Sequence, residues 1–478
     1  MNFGPLSQED LLGSLPYAIL SAGSLLILLA VPFSRPGMRE RLSAFLTGAV
    51  ILGALVSFLW IGEGTLSFGG LLIHDRLGIG MALIVSLLFL LVLPAYPELR
   101  DNLAEGPSGF FSLLLLSLCG AFLLIFSNHL LVSFVGLELL SLPLYILTAI
   151  NRSSRASSEA AFKYFLLGSV ASALFIYGTA VIWGLVGTVR LDEIASAWAN
   201  KDAGDPGLLA AGVGLVIAGI AFKVGLVPFH MWVPDVYEGA PAYVVAWMAG
   251  AVKAAGITLA LRFVGVAIPP ESLDTRAVFV FVSLASMVLG SLAALQQSGF
   301  KRLLAYSAVA HAGYAAIALV TVQSGLVRES YVGAGYYLLT YGIASLACFI
   351  VAAMEESEGR GSISDLSGLA RRRPALAAVL AIALLSLAGF PPLAGFFGKF
   401  NLFSLAVRAG HMELVLVGVL TSVISLGYYL KVIVALYMQE PSEARVPELR
   451  FGTGLSLIAA ALALVLFGLF PGWVLALL

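Results

Sequence analysis

The chain of 478 residues has seven lysines, and five of them stand inside long apolar stretches: Lys163, Lys223, Lys253, Lys399 and Lys431. Glu138 sits in the middle of another such stretch. A charge at the centre of a bilayer costs at least ~2.5–3.5 kcal/mol on insertion scales, so intramembrane ionisable groups point to function. A row of amines with one carboxylate can take up and release protons, which is the chemistry of an ion or proton pathway.

Each group also has a plainer reading. Glu138 and Lys163 can form a proton-coupled ion pair that opens and closes, or a static pair that orients two helices. Lys223, in GIAFKVGLVPFHMWVPDVYEGAP, can relay a proton, since desolvation favours its neutral form, or cap carbonyls freed by the helix break. Lys253, among Ala and Gly in AGAVKAAGITLALRF, lies too deep in its span to snorkel easily, which favours a relay. Lys399 lies near the end of its span, where snorkelling to the interface competes with a relay role. Lys431 can be an interfacial anchor or a relay. His311, in SAVAHAGYAAI, can bridge lysines through water or be a packed core histidine. His230 and Asp235 are expected to order a loop. Tyr306, Tyr314, Tyr336, Tyr337 and Tyr341 can support water chains or simply pack.

The elements that must position these groups are membrane helices. The chain is 60% hydrophobic and 11% charged, where a soluble domain has about a quarter of its residues charged. Apolar runs of about 20 residues, long enough to span the hydrocarbon core, recur throughout. The expected fold is all-α and polytopic, with fourteen spans at 14–33, 42–62, 77–96, 109–127, 129–150, 157–186, 207–230, 241–264, 276–297, 302–323, 331–354, 374–400, 412–437 and 453–475. Residues 190–200 suggest a short interfacial helix.

Two spans carry breaks. Gly225 and Pro228 follow Lys223, and Pro391 and Pro392 precede Lys399. Proline removes a helical hydrogen bond, and irregular backbone at membrane depth survives only inside protein or beside a watery cavity. Broken helices in corresponding positions of two halves point to inverted repeats. The expected division is 1–108 (three spans), 109–264 and 276–437 (two five-span repeats) and 453–475 (a last span).

Lys and Arg in the links set orientation. Links after odd-numbered spans hold fourteen, and links after even-numbered spans hold seven: Arg76, Arg190, Lys201, Arg262, Arg276, Arg328 and Arg408. Odd exits are therefore expected in the cytoplasm and both termini outside. No basic residue precedes the first span, so the positive n-region of a cleavable signal peptide is not expected. The net charge of −1 argues against nucleic acid as a partner. Cys119 and Cys348 form no CxxC pair, so no metal or iron–sulfur site is expected. There is no GxGxxG opening a helix, no P-loop and no Ser-His-Asp motif; any electron chemistry belongs to another chain.

The stretches LVSFVGLELLSLPLYIL, SEAAFKYFLLGSVASALFIYG, AFKVGLVPFHMWVPDVYEGAP, GAVKAAG, KRLLAYSAVAHAGY and GFPPLAGFFGKF resemble the antiporter-like membrane subunits of respiratory complex I, the proton-translocating NADH:quinone oxidoreductase, and most closely their N type. Lys399 stands where the M type is expected to carry a carboxylate. The L type is expected to continue into a long lateral helix. The resemblance implies a fourteen-helix bundle with two inverted five-helix repeats, the first for proton uptake and the second for release. It implies that Glu138 pairs with Lys163, that Lys223 is the broken-helix lysine of the uptake half, that Lys253 connects the halves and that Lys399 serves the output side. His311 and Lys431 are further relay candidates. It implies no cofactor in this chain, with NADH, FMN, iron–sulfur clusters and quinone in partner subunits. The implied partners are the M-type and K-type subunits, the lateral helix of the L type and the lipid of a bacterial inner membrane. Rival readings are a subunit of a multi-subunit cation/proton antiporter, the equivalent subunit of a complex with ferredoxin or another donor, a stand-alone solute transporter and a structural scaffold.

Overall fold

The structure is a computed structural model, and it describes residues 7–35, 38–96, 106–199, 205–269, 273–441 and 449–478. Arg100, Lys201 and Arg445, which entered the orientation count, lie outside the described residues.

Apolar helices run the length of the chain. Three come first: α1 (Gln8–Ala30), α2 (Arg39–Ser57) and α3 (Arg76–Val92). The next group is α4 (Gly106–Phe126), α5 (Leu130–Thr148), α6 (Arg155–Val186), the short α7 (Leu191–Ala199), α8 (Pro206–Val224), α9 (Trp232–Gly239), α10 (Ala242–Trp247) and α11 (Lys253–Arg262). The second group is α12 (Arg276–Leu295), α13 (Phe300–Gln323), α14 (Val327–Glu356), the one-turn α15 (Leu369–Arg372), α16 (Pro374–Ala388), α17 (Ala394–Arg408) and α18 (Met412–Met438). α19 (Phe451–Leu469) and α20 (Pro471–Leu475) close the fold.

Among the described residues, thirteen helical segments are long and apolar enough to cross a membrane. The remaining expected span, 374–400, is two helices: α16 has only 15 residues, and α17 resumes after a non-helical turn. α7 is a short helix where residues 190–200 are expected to form one. One small sheet departs from the all-helical expectation. β1 (Thr65–Ser67) and β2 (Leu72–His74) pair antiparallel between α2 and α3, because Phe68, Gly69 and Gly70 all take positive φ and turn the chain back.

Local chemistry starts and stops the broken helices. Asp205 caps α8, its side chain accepting from the backbone of Gly207 and Leu208, with Pro206 in the first turn, a position proline tolerates because that N–H has no helical partner. α8 ends where Gly225 adopts φ +81°, ψ 38°. α16 starts at Pro374 and ends where Gly389 adopts φ +84°, ψ 40°. Both ends are the same Schellman turn. Leu226 N–H donates to Ala221 and Gly225 N–H to Phe222; Phe390 N–H donates to Leu385 and Gly389 N–H to Ser386. The left-handed backbone at that point is what favours glycine.

Three spans form the inner wall: Ala242–Ala267, Phe300–Gln323 and Val327–Glu356 are almost wholly buried. The first is not a regular α-helix. π-helical turns at Met248–Val252 and Phe263–Ala267 bracket α11, so Lys253 begins and Arg262 ends a short regular segment. Arg262 is 2% exposed. It forks onto the Asp75 carboxylate at 2.7 and 2.9 Å and donates to the Ile125 carbonyl at 3.0 Å. This corrects the charge count: Arg262 is a buried tie to the cap of α3, not a link residue, and the even-numbered links keep six of their seven basic residues.

Candidate functional site

The break in α8 leaves the Val224 carbonyl without a helical donor. Its partner would be residue 228, and Pro228 has no N–H. The neighbouring Val227 N–H is taken by Ser286 Oγ at 2.9 Å. Lys253 fills the gap: its Nζ donates to Val224 O at 3.2 Å and to Ala308 O at 2.6 Å. The second break repeats this logic. Ala388 precedes Gly389, and the residue four positions on is Pro392. Lys399 Nζ donates to Ala388 O at 3.1 Å. At each break, a proline withholds a bond from one carbonyl and a lysine supplies it. The lysine comes from a different span at the first break and from the same span at the second.

Lys223 does not cap its own break. It is buried on α8, and its Nζ donates to Ser141 Oγ at 2.7 Å and to Tyr164 OH at 3.3 Å. Tyr164 stacks on Trp232, ring centroids 4.6 Å apart. Trp232 Nε1 in turn donates to Phe222 O at 2.8 Å, securing another carbonyl of the break. Ser141 lies on α5 three residues beyond Glu138, hence on the same helical face.

From Lys253 the buried groups continue along α13. Ala308, His311 and Tyr314 follow at three-residue intervals. His311 is 3% exposed; its Nδ1 meets Tyr337 OH at 2.6 Å and its Nε2 meets Tyr429 OH at 3.2 Å. Tyr429 OH also bonds Ser307 Oγ. Tyr314 OH bonds Thr421 Oγ1 at 2.9 Å, and its ring lies 4.7 Å below Lys399 Nζ. Lys399 is 4% exposed and held in the interior, not extended to an interface. Tyr341 packs against both Lys253, 5.8 Å from Nζ to ring centroid, and His311, 4.8 Å between centroids. Tyr336 donates instead to the Phe467 carbonyl and serves packing.

Two expected positions differ. Lys163 is not brought to Glu138. Its Nζ pairs with Glu159 at 2.8 Å and Asp235 at 2.9 Å, and the side chain is 41% exposed. Glu138 instead accepts from Ser172 Oγ. The reason is helical geometry: Glu159 lies one turn before Lys163 on α6, and α9 carries Asp235 against that turn. Asp235 also pairs with Arg302 at 3.2 Å, so its role exceeds loop ordering. Lys431 stands apart from the buried row. It is exposed, and its Nζ caps the end of α12 through Gln297 O at 2.8 Å. Ser141, Ser172 and Tyr164 were not singled out from sequence, since a hydroxyl in an apolar helix is an everyday residue.

Residues 127–425 match the family described as NADH:quinone oxidoreductase/Mrp antiporter, transmembrane. The chain is 38% identical over 467 residues to subunit N 2 of NADH-quinone oxidoreductase from Rhizobium meliloti, covering 97% of this chain and 95% of the relative. It is 38% identical over 510 residues to subunit N from Myxococcus xanthus, covering 99% and 97%. It superposes on a chain of respiratory complex I from Thermus thermophilus with a TM-score of 0.81 at 36% identity, covering 96% and 98%. A chain of the Mrp complex from Dietzia sp. has a TM-score of 0.85 at 24% identity, covering 99% and 96%, a likeness of fold alone. The chain therefore belongs to the NADH:quinone oxidoreductase/Mrp antiporter family of multi-pass membrane proteins. Within that family, its relatives at 38% identity are the N-type subunits of NADH-quinone oxidoreductase.

Proposed function

We propose that the chain is a proton-translocating membrane subunit of an NADH:quinone oxidoreductase, driven by electron transfer in other subunits. One observation carries this reading: Lys223, Lys253, His311 and Lys399 form a buried row that passes both helix breaks, and each member meets the next through a shared element. Lys223 and Val224 are adjacent on α8; Lys253 holds Val224 and Ala308; Ala308, His311 and Tyr314 share a face of α13; Lys399 covers Tyr314.

In this reading a proton reaches Lys223 in the uptake half, passes Lys253 and His311, and leaves from Lys399 in the release half. The divisions 109–264 and 276–437 are the two halves. Glu138, held by Ser172 of α6, senses charge arriving from a neighbouring subunit, and α6 passes it on to α9 through the Lys163–Asp235 pair. Each charge moved against ~100 mV costs about 2.3 kcal/mol, so the row needs an external redox drive. NADH, FMN, iron–sulfur clusters and quinone belong to partner subunits. The proposed neighbours are K-type and M-type subunits and the lateral helix of an L-type subunit. The proposed location is a bacterial inner membrane with both termini outside, supported by the excess of basic residues in the odd-numbered links. The higher identity to NADH-quinone oxidoreductase chains favours this reading over a cation/proton antiporter.

The test is Lys223→Ala in the assembled complex, with NADH:quinone turnover and proton pumping recorded together and assembly checked by native gel. Loss of both with the complex intact is expected. Normal turnover with normal pumping refutes the role of Lys223.

A further inference from the structure

Beside the first break, α8 and α12 diverge and leave a cavity of about 340 Å³ lined by Val213, Ile217, Ala221, Phe263, Val278 and Phe279 among other apolar side chains. Val224 and Leu226, the buried residues on either side of Gly225, line it, as do the buried Thr275 and, at its exposed rim, Asp274. The helices that flank it show large apolar side chains outward: Leu208 is 51% exposed, Val278 50% and Phe281 65%. The cavity is thus a cleft that opens on an apolar outer surface of the chain, not a void of the interior.

Three features say what fits. The walls are apolar and narrow, which suits a hydrocarbon chain. Thr275 is 4% exposed, lines the cavity, and its hydroxyl has no hydrogen-bond partner; a buried hydroxyl without a partner is costly and calls for an acceptor. Asp274 and Arg276 form a two-bonded ion pair at the rim, 2.7 and 2.8 Å. Those bonds hold the Asp274 carboxyl down at about 2, so the rim presents one fixed charge of each sign.

We propose that this cleft is a phospholipid site: one acyl chain lies between α8 and α12 against the break, an ester carbonyl accepts the Thr275 hydroxyl, and an amine-bearing zwitterionic headgroup lies across the rim, phosphate on Arg276 and ammonium on Asp274. The binding does not depend on the transport reading. Its consequence is that lipid packs directly against the turn bearing the Val224 carbonyl. Gly214 supplies the means of blocking the cleft, because a Cβ there meets no heavy atom within 4 Å.

The experiment uses the assembled membrane complex in nanodiscs doped with phosphatidylethanolamine bearing a mid-chain diazirine, with labelled residues mapped by mass spectrometry. Label is expected to concentrate on Ile217, Ala221 and Phe263 over exposed Phe281. Thr275→Val, which keeps the volume, is expected to cut that label about fivefold, the effect of one neutral hydrogen bond. Gly214→Leu is expected to remove it. If Gly214→Leu does not assemble, Thr275→Val decides alone. Label spread evenly over lipid-facing residues, label indifferent to Thr275→Val, or a cleft cross-linked to a partner polypeptide in place of lipid each overturns the site.

Discussion

Replacing Lys253 by methionine separates structure from transport. Met keeps most of the volume and removes the amine. The Val224 carbonyl then has neither Lys253 nor a helical donor, because Pro228 lacks an N–H. Leaving a buried polar group unpaired costs about 1–3 kcal/mol. Ala308 loses less, since its carbonyl keeps its place in the ladder of α13. Against this, the variant no longer places an amine in the membrane interior, worth ~2.5–3.5 kcal/mol. The net change runs from about 0.5 kcal/mol destabilising to about 2.5 kcal/mol stabilising, so the complex is expected to assemble in normal amount. Proton transfer through the row is expected to fall ~10²-fold or more, as for loss of a proton-transfer group. The assay is proteoliposomes with NADH and quinone, reading turnover and a fluorescent pH indicator together, with assembly measured on native gels. Lys253→Arg is the companion variant: it keeps a donor but holds its charge at all accessible pH, and is expected to block pumping equally. An intact Lys253→Met complex that pumps normally refutes the relay. Failure of Lys253→Met to assemble refutes the energy balance and makes the lysine a structural plug.

Lys431→Ala is expected to leave pumping within about twofold of the parent in the same proteoliposome assay, because a surface-exposed cap on one carbonyl contributes about one weak bond. Arg262→Met is expected to lower the amount of assembled complex and its melting temperature, since breaking a buried pair costs about 3 kcal/mol at the lower end of the range, Asp75 being one-third exposed. Gly389→Ala places a left-handed backbone on a residue with a Cβ, a strain of about 1–2 kcal/mol, and sets that Cβ 3.1 Å from Lys399 Cδ; pumping is expected to fall further than assembly. Ser141→Ala is expected to slow pumping more than Tyr164→Phe, following the 2.7 and 3.3 Å bonds to Lys223, and equal effects would refute that ranking.

The spans were legible because each is long and apolar, and the breaks because glycine and proline punctuate them. The three deepest lysines were legible because an amine in a run of Ala, Val and Leu has no cheap explanation. Their partners were not. Nothing near Lys253 in sequence points to a carbonyl 29 residues earlier, at Val224; that pairing comes from how the spans pack. Lys163 could have been read differently, since Glu159 at four residues' spacing is the standard helical pair and competes with Glu138. Arg262 was misplaced because it falls at the edge of an apolar run, where a link arginine and a buried one look alike. The two breaks correspond imperfectly in the sequence, with Lys223 before its proline and Lys399 after its pair. In the structure they share a backbone turn: Val224 and Ala388 are each followed by a left-handed glycine and each held by a lysine.

The two carbonyl bonds of Lys253 use two N–H groups, to Val224 and Ala308. An ammonium has three, and a neutral amine still has two. The amine can therefore gain or lose its charge without depriving either carbonyl of a donor, and the joint it fastens keeps its shape in either state. A histidine or a carboxylate in that place would have to exchange donor for acceptor each time it titrated, and the break would loosen with every change of charge.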